Sequence, residues 1–136
     1  MRHIPLIVSA IFILFLMSLL LPVFECPAHD KSFYGYVVLM IGWIGLIGLD
    51  PRWFANPMLL LMLWRLATNR VSDGKFLPVF AAVLAVAAIP IHAAGCEGGG
   101  GAPGLTNGLA IGGYLWVAAV LATSWSYLNR ATYEPE

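Results

Sequence analysis

A chain of 136 residues that is 60% hydrophobic and only 10% charged lacks the polar surface of a water-soluble domain, in which about a quarter of residues are charged. Seven basic and seven acidic residues cancel to a formal net charge of zero, which removes any electrostatic basis for binding nucleic acid. The length suits a single domain.

Four apolar segments follow one another along the chain: Ile4–Phe24, Phe33–Leu49, Phe76–His92 and Leu109–Leu128, none holding Asp, Glu, Lys or Arg. At 1.5 Å per residue, about 17 to 21 helical residues reach roughly 25 to 31 Å, the thickness of a bilayer's hydrocarbon core. The expected fold is therefore an all-α membrane protein, a four-transmembrane-helix bundle formed by residues 4–24, 33–49, 76–92 and 109–128. The first segment is longer than the apolar core of a signal peptide and has no small-residue cleavage site behind it, so it is expected to stay as an anchor.

Orientation follows from the basic residues, which are retained on the cytoplasmic side. With the N-terminus inside, Arg2, Arg52, Arg65, Arg70, Lys75 and Arg130 are cytoplasmic and only Lys31 is external. Both termini are then cytoplasmic, and a bacterial inner membrane is the expected location. A fifth crossing over Phe54–Ala67 would be only about 21 Å long and would export Arg70 and Lys75.

Residues 50–70 are instead expected to form a cytoplasmic-side connection. Asp50-Pro51 closes the second span, because proline cannot extend a helical ladder and disfavours helix in the residue before it. Asn56-Pro57 reads as N-cap and first helical residue of a short non-spanning helix over 58–68. That helix is expected to dip into the inner leaflet or pack beneath the bundle. Trp43, Trp53 and Trp64, with Arg65 and Arg70, are the candidate interfacial anchors.

Trp53-Phe54-Ala55-Asn56-Pro57 and the Leu run after it, preceded by Gly42-Trp43-Ile44-Gly45-Leu46, resemble a group of small bacterial membrane proteins with no established activity. The resemblance covers about a quarter of the chain. It implies a bacterial origin and transfers no residue role.

Helices in lipid associate through close backbone approach. Gly35, Gly42, Gly45 and Gly48 supply small residues to the second span. Ala81, Ala85 and Ala88 share one face of the third, and Gly108-x-x-x-Gly112 opens the fourth. The first span has little more than Ser9, Ala10 and Ser18, so spans two to four are expected to pack tightly with the first more exposed to lipid. Thr123, Ser124 and Ser126 have no neighbouring base and are expected to bond to the helix backbone.

Two cysteines, Cys26 and Cys96, fall on the external side of this topology, where an oxidising compartment favours a disulfide between them. Cys26-x-x-His29 and His92-x-x-x-Cys96 also compose a soft-metal ligand set, so metal binding by Cys26, His29, His92 and Cys96 stands as the alternative. No spans carry buried ionisable residues of the kind that couple transport, and Gly98–Gly101 lacks the Lys-Ser/Thr of a phosphate loop. The expected function is non-enzymatic and needs no cofactor. The chain would act in the lipid bilayer through a membrane-protein partner or a homo-oligomer, as an accessory subunit or immunity-type protein. The alternative is external thiol or metal handling.

Overall fold

The computed structural model describes residues 4–26, 31–41, 51–71, 74–89 and 109–133. Among them the chain is mostly helical and of the all-α class, with five α-helices. These are α1 (Ile4–Leu20), α2 (Gly35–Ile41), α3 (Ala55–Ala67), α4 (Phe76–Val86) and α5 (Ile111–Tyr133). A short antiparallel hairpin, β1 (Pro22–Cys26) with β2 (Lys31–Tyr34), separates α1 from α2. A 3-10 turn over Pro51–Phe54 leads into α3.

The hairpin is the first departure from the apolar segments. Pro22 disfavours helix at Leu21, so α1 stops at Leu20 rather than running to Phe24. β-branched and aromatic side chains at Val23, Phe24, Phe33 and Tyr34 then suit extended pairing. The register sets Cys26 opposite Lys31 and Glu25 opposite Ser32, with an irregularity between Pro22 and Phe24. Hydrophobicity alone could not separate this extended run from the helix that precedes it.

Helix directions follow from particular contacts. The Ala110 amide donates to the Val23 carbonyl at 2.8 Å, which brings the start of α5 to the end of α1 and makes the two antiparallel. The Gly35 amide donates to Leu21 O at 3.1 Å, so α2 begins at the same end and turns back onto α1. A Cβ on Gly35 would run into the carbonyl oxygen of Ser18 and the Cα of Leu19, and one on Gly112 would lie 2.7 Å from the carbonyl oxygens of both Leu21 and Pro22. Only glycine lets the backbones of α2 and α5 approach α1 so closely.

This junction gives the first segment a larger packing role than expected, although most of its side chains are exposed. The contact of α1 with α5 is the most extensive between any two helices, and Ile11, Phe15 and Ser18 are buried in it. Two glycines on the partners supply the close approach that α1's own bulky residues cannot. On α4 and the turn that follows it, Ala81, Ala85 and Ala88 are buried, as their shared face predicts.

The largest correction concerns α3. It does not lie beneath the bundle. Its residues Ala55, Asn56, Leu59, Met62, Leu63 and Leu66 are buried, and it packs against α1, α4 and α5. A helix apolar around most of its circumference is stable only with several neighbours, which the interior supplies. The connection 68–75 is short enough to make α3 and α4 adjacent and antiparallel.

Two ends result. The hairpin, the start of α2, the end of α1 and the start of α5 form one. The other gathers the end of α3, the start of α4 and the last turns of α5. Arg65, Arg70, Lys75 and Arg130 all belong to that second, basic end, whereas Arg52 stands at the opposite end of α3. The helix is about 20 Å long, and this separation parts Arg52 from the basic residues with which it was grouped by sequence.

Among the described residues only Ile111–Ala131 is long and apolar enough to cross a membrane; Pro5–Leu20 and Phe76–Val86 are shorter apolar helices. α5 runs five residues past Leu128, because Asn129, Arg130, Ala131 and Thr132 carry no helix-stopping signal.

A polar seam between parallel helices

α3 and α5 run parallel, joined along their length by hydrogen bonds between residues about sixty positions apart. Both helices carry the 4-3-4-3 spacing that keeps one stripe facing a neighbour. On α3 and its C-terminal turn the stripe is Ala55, Leu59, Met62, Leu66 and Asn69; on α5 it is Trp116, Val120, Thr123, Tyr127 and Arg130. Leu59, Met62, Val120, Thr123 and Tyr127 are among the largest fully buried side chains.

At the upper end of the seam, Trp116 Nε1 donates to Asn56 Oδ1 at 2.8 Å, and Asn56 Nδ2 donates to the Trp53 carbonyl at 3.2 Å. Trp53 Nε1 in turn donates to Leu39 O at 3.1 Å, tying α2 to the entry of α3. Asn56 is therefore not the N-cap of α3. The helix begins one residue earlier, and its cap position, Phe54, makes no side-chain capping bond. The amide is 8% exposed and is used across helices, where a buried polar group costs least when both its donor and acceptor are engaged.

Lower down, Arg65 Nη1 donates to Tyr127 Oη at 3.2 Å. At the base, α3 ends in a Schellman motif built on asparagine. Asn69 adopts φ 55, the Arg70 amide donates to Arg65 O at 2.9 Å, and the Asn69 amide donates to Leu66 O at 3.4 Å. Asparagine is one of the few residues that tolerate this left-handed position. Arg130 reaches over from α5 and donates to Asn69 Oδ1 at 2.7 Å and to Leu66 O at 3.4 Å. A guanidinium thus sits at the negative end of the α3 dipole and adds a second donor to the Leu66 carbonyl.

Asn69→Ala is expected to cost about 1–2 kcal/mol, since it strains the left-handed residue and removes the acceptor for Arg130. Asn69→Gly, which keeps the conformation, should cost less. Thermal unfolding of both variants in one detergent gives the order.

The hydroxyls divide. Thr123 Oγ1 donates to Ala119 O at 2.7 Å, Ser126 Oγ to Ala122 O at 2.8 Å and Ser18 Oγ to Phe15 O at 2.6 Å, the back-bonding expected for α5 and repeated in α1. Ser124 departs from it. Its Oγ is buried and has no hydrogen-bond partner among the described residues.

The candidate residues from sequence are only partly brought together. Trp64 is 53% exposed, as an interfacial anchor would be, and Arg70 is exposed on the turn after α3. Trp53 is half-buried and braces α2, while Arg65 joins the seam. Cys26 lies on β1, but His29, Trp43, His92 and Cys96 fall outside the described residues, as does a Cys26–Cys96 bond. Among the described residues no cluster of three metal-ligating side chains occurs. Trp116, Tyr127, Asn69 and Arg130 went unrecognised in sequence; the matching 4-3 spacing of the two stripes was the signal that carried them. No family model, curated protein or solved structure matches the chain.

Proposed function

We propose that the chain is a polytopic bundle of a bacterial inner membrane, acting without catalysis through contacts with a membrane-protein partner. The observation that carries this reading is a broadly apolar surface over a core that also holds polar side chains. Leu6, Ile7, Phe12, Ile13, Leu16 and Met17 are exposed on α1, as are Phe76, Val79, Val83 and Val86 on α4, while Ser18, Asn56, Thr123 and Ser124 are buried. Water penalises such a surface and lipid does not.

The four crossings are assigned to α1, to α2 and α3 together, to α4 and to α5. α2 descends from the hairpin end and α3 reaches the basic end beside α5, so the second crossing is shared between two helices. Arg65, Arg70, Lys75 and Arg130 then stand together on the cytoplasmic side, in keeping with retention of basic residues there. Exposed aromatics favour the same boundaries: Tyr34 and Tyr36 stack with centroids 6.0 Å apart at the hairpin end, and Trp64 and Trp125 lie nearer the basic end.

The small-residue faces of α4 and α5 are consumed inside the bundle, so a partner would meet the bulky apolar face of α1. The chain is expected to resist alkaline carbonate extraction. After reduction, Cys26 should label with an impermeant maleimide from the periplasmic side, and purification in mild detergent should recover one stoichiometric membrane protein. Extraction by carbonate, or labelling from the cytoplasmic side, would overturn the membrane assignment. A monodisperse chain that recovers no partner from native membranes would overturn the accessory role.

A further inference from the structure

The basic end has the form of an amphiphile's binding site. Three helix ends meet there, each bringing a cation. Arg130 comes from α5, Arg70 follows the turn that ends α3, and Lys75 immediately precedes α4. Arg130 is held in place by Asn69 Oδ1 and Leu66 O, both neutral acceptors that fix the guanidinium without cancelling its charge. The exposed Arg70 and Lys75 lie on either side of the connection between α3 and α4. Asp73, within that connection, and Glu134, which follows α5, lie outside the described residues. Like charges gathered at one place repel unless an anion joins them.

An apolar track begins where the cations stop. Phe76, Val79, Val83 and Val86 recur at i, i+3, i+7 and i+10 on one face of α4, with exposures of 74%, 48%, 56% and 49%. Phe80 stacks on Phe76 with ring centroids 5.2 Å apart, giving the track a broad, flat start. Its ten-residue rise is about 15 Å along the helix, comparable to most of an acyl chain. A free phosphate ion would use the cations and leave this track bare. A phospholipid with an anionic headgroup matches both parts.

We propose that Arg70, Lys75 and Arg130 bind the phosphate of one anionic phospholipid, with an acyl chain lying along Phe76, Val79 and Val83. Arginine forks and a lysine point charge are the usual protein partners of phosphate, and basic groups at a cytoplasmic membrane surface draw anionic lipid. The assignment rests on the membrane reading above and adds to it a ligand class and a place.

Native mass spectrometry of the full chain in a mild detergent tests it, using phosphatidylglycerol and phosphatidylcholine with identical acyl chains. The wild type is expected to retain phosphatidylglycerol at least about tenfold more strongly than phosphatidylcholine, and the double variant Arg70→Gln/Lys75→Gln should lose most of that preference. Neither side chain makes a described hydrogen bond, so this variant leaves the packing intact. Arg130→Gln also loosens the end of α3; Arg130→Lys is the companion that keeps the charge, and it should retain the preference while unfolding at lower temperature. Equal retention of the two lipids, or an unchanged preference in Arg70→Gln/Lys75→Gln, would overturn the proposal. A thermal shift from inorganic phosphate equal to that from phosphatidylglycerol would overturn the lipid as the source of the anion. A chain removed from membranes by carbonate would fail the membrane reading itself, whereas one that remains and shows no headgroup preference would fail only this site.

Discussion

Gly35→Ala should cost about 3 kcal/mol, among the largest effects of any single methyl group in this chain, and should lower the thermal midpoint in detergent accordingly. The added carbon meets the Ser18 carbonyl oxygen and the Leu19 Cα. Both belong to the backbone of α1, so no rotamer change makes room, and either α2 or the last turn of α1 must shift. Gly112→Ala presses on the next stretch of the same backbone, at the Leu21 and Pro22 carbonyls, and should cost nearly as much. Gly113→Ala is the control. The nearest atoms to its new carbon all belong to the Leu109 side chain, the closest being Cδ2 at 2.7 Å, and the end of that side chain can turn away. Combining Gly35→Ala with Gly112→Ala should cost less than the two separately, because a hairpin end displaced by one substitution already accommodates the other. Equal destabilisation by all three alanines would contradict the close backbone approach.

The second large effect is expected at Asn56. Replacing it with leucine keeps the branched shape but deprives Trp116 Nε1 of its acceptor and Trp53 O of its donor. Leaving such groups unpaired in the interior costs about 2–3 kcal/mol. Adding Trp116→Phe to Asn56→Leu should recover part of that loss, since the orphaned indole N–H disappears with the ring. A double-mutant cycle read by chemical unfolding in a fixed micelle supplies the coupling. A coupling of zero would mean that the amide and the indole do not act as a pair.

These two predictions concern features of unequal visibility in the sequence. Helix content was legible throughout, because runs such as 4–20 and 111–128 are apolar, long and free of charge. The inward face of α4 was legible too, since Ala81, Ala85 and Ala88 repeat with helical spacing. Asn56 was visible but misread. Asparagine followed by proline has the chemistry of a helix start, and nothing local to it shows that an indole sixty residues later claims its oxygen. Gly35 was expected to help pack the second span against the third and fourth, whereas its neighbour is the end of α1. A small residue announces a close approach without naming what approaches.

The expectation that α3 packs beneath the bundle had the same origin. The fourteen residues Phe54–Ala67 are too few to span alone, so length argued for an interfacial helix. Length applies to a helix that crosses alone, and α3 is paired end to end with α5 and preceded by α2. Where Leu21-Pro22 ended α1, hydropathy saw one continuous segment because extended and helical apolar residues score alike. The arginines at the base of the seam were counted for their charge and not for their reach. Arg130 was placed correctly with the other basic residues, yet its hydrogen bonds to the end of α3 depend on the parallel pairing, a tertiary property.

Arg130 also sets an order of assembly. The turn that ends α3 is completed by a guanidinium sixty-one residues later than Asn69, and the entry to α3 waits on an indole sixty residues later than Asn56. During synthesis α1 through α4 emerge before either partner exists, so α3 must remain with neighbours that engage its apolar side chains but leave its polar contacts open. The last helix to be made is the one that closes both ends of the third. Substitutions at Trp116 or Arg130 should therefore prolong the lifetime of a partly assembled chain before they alter the finished bundle.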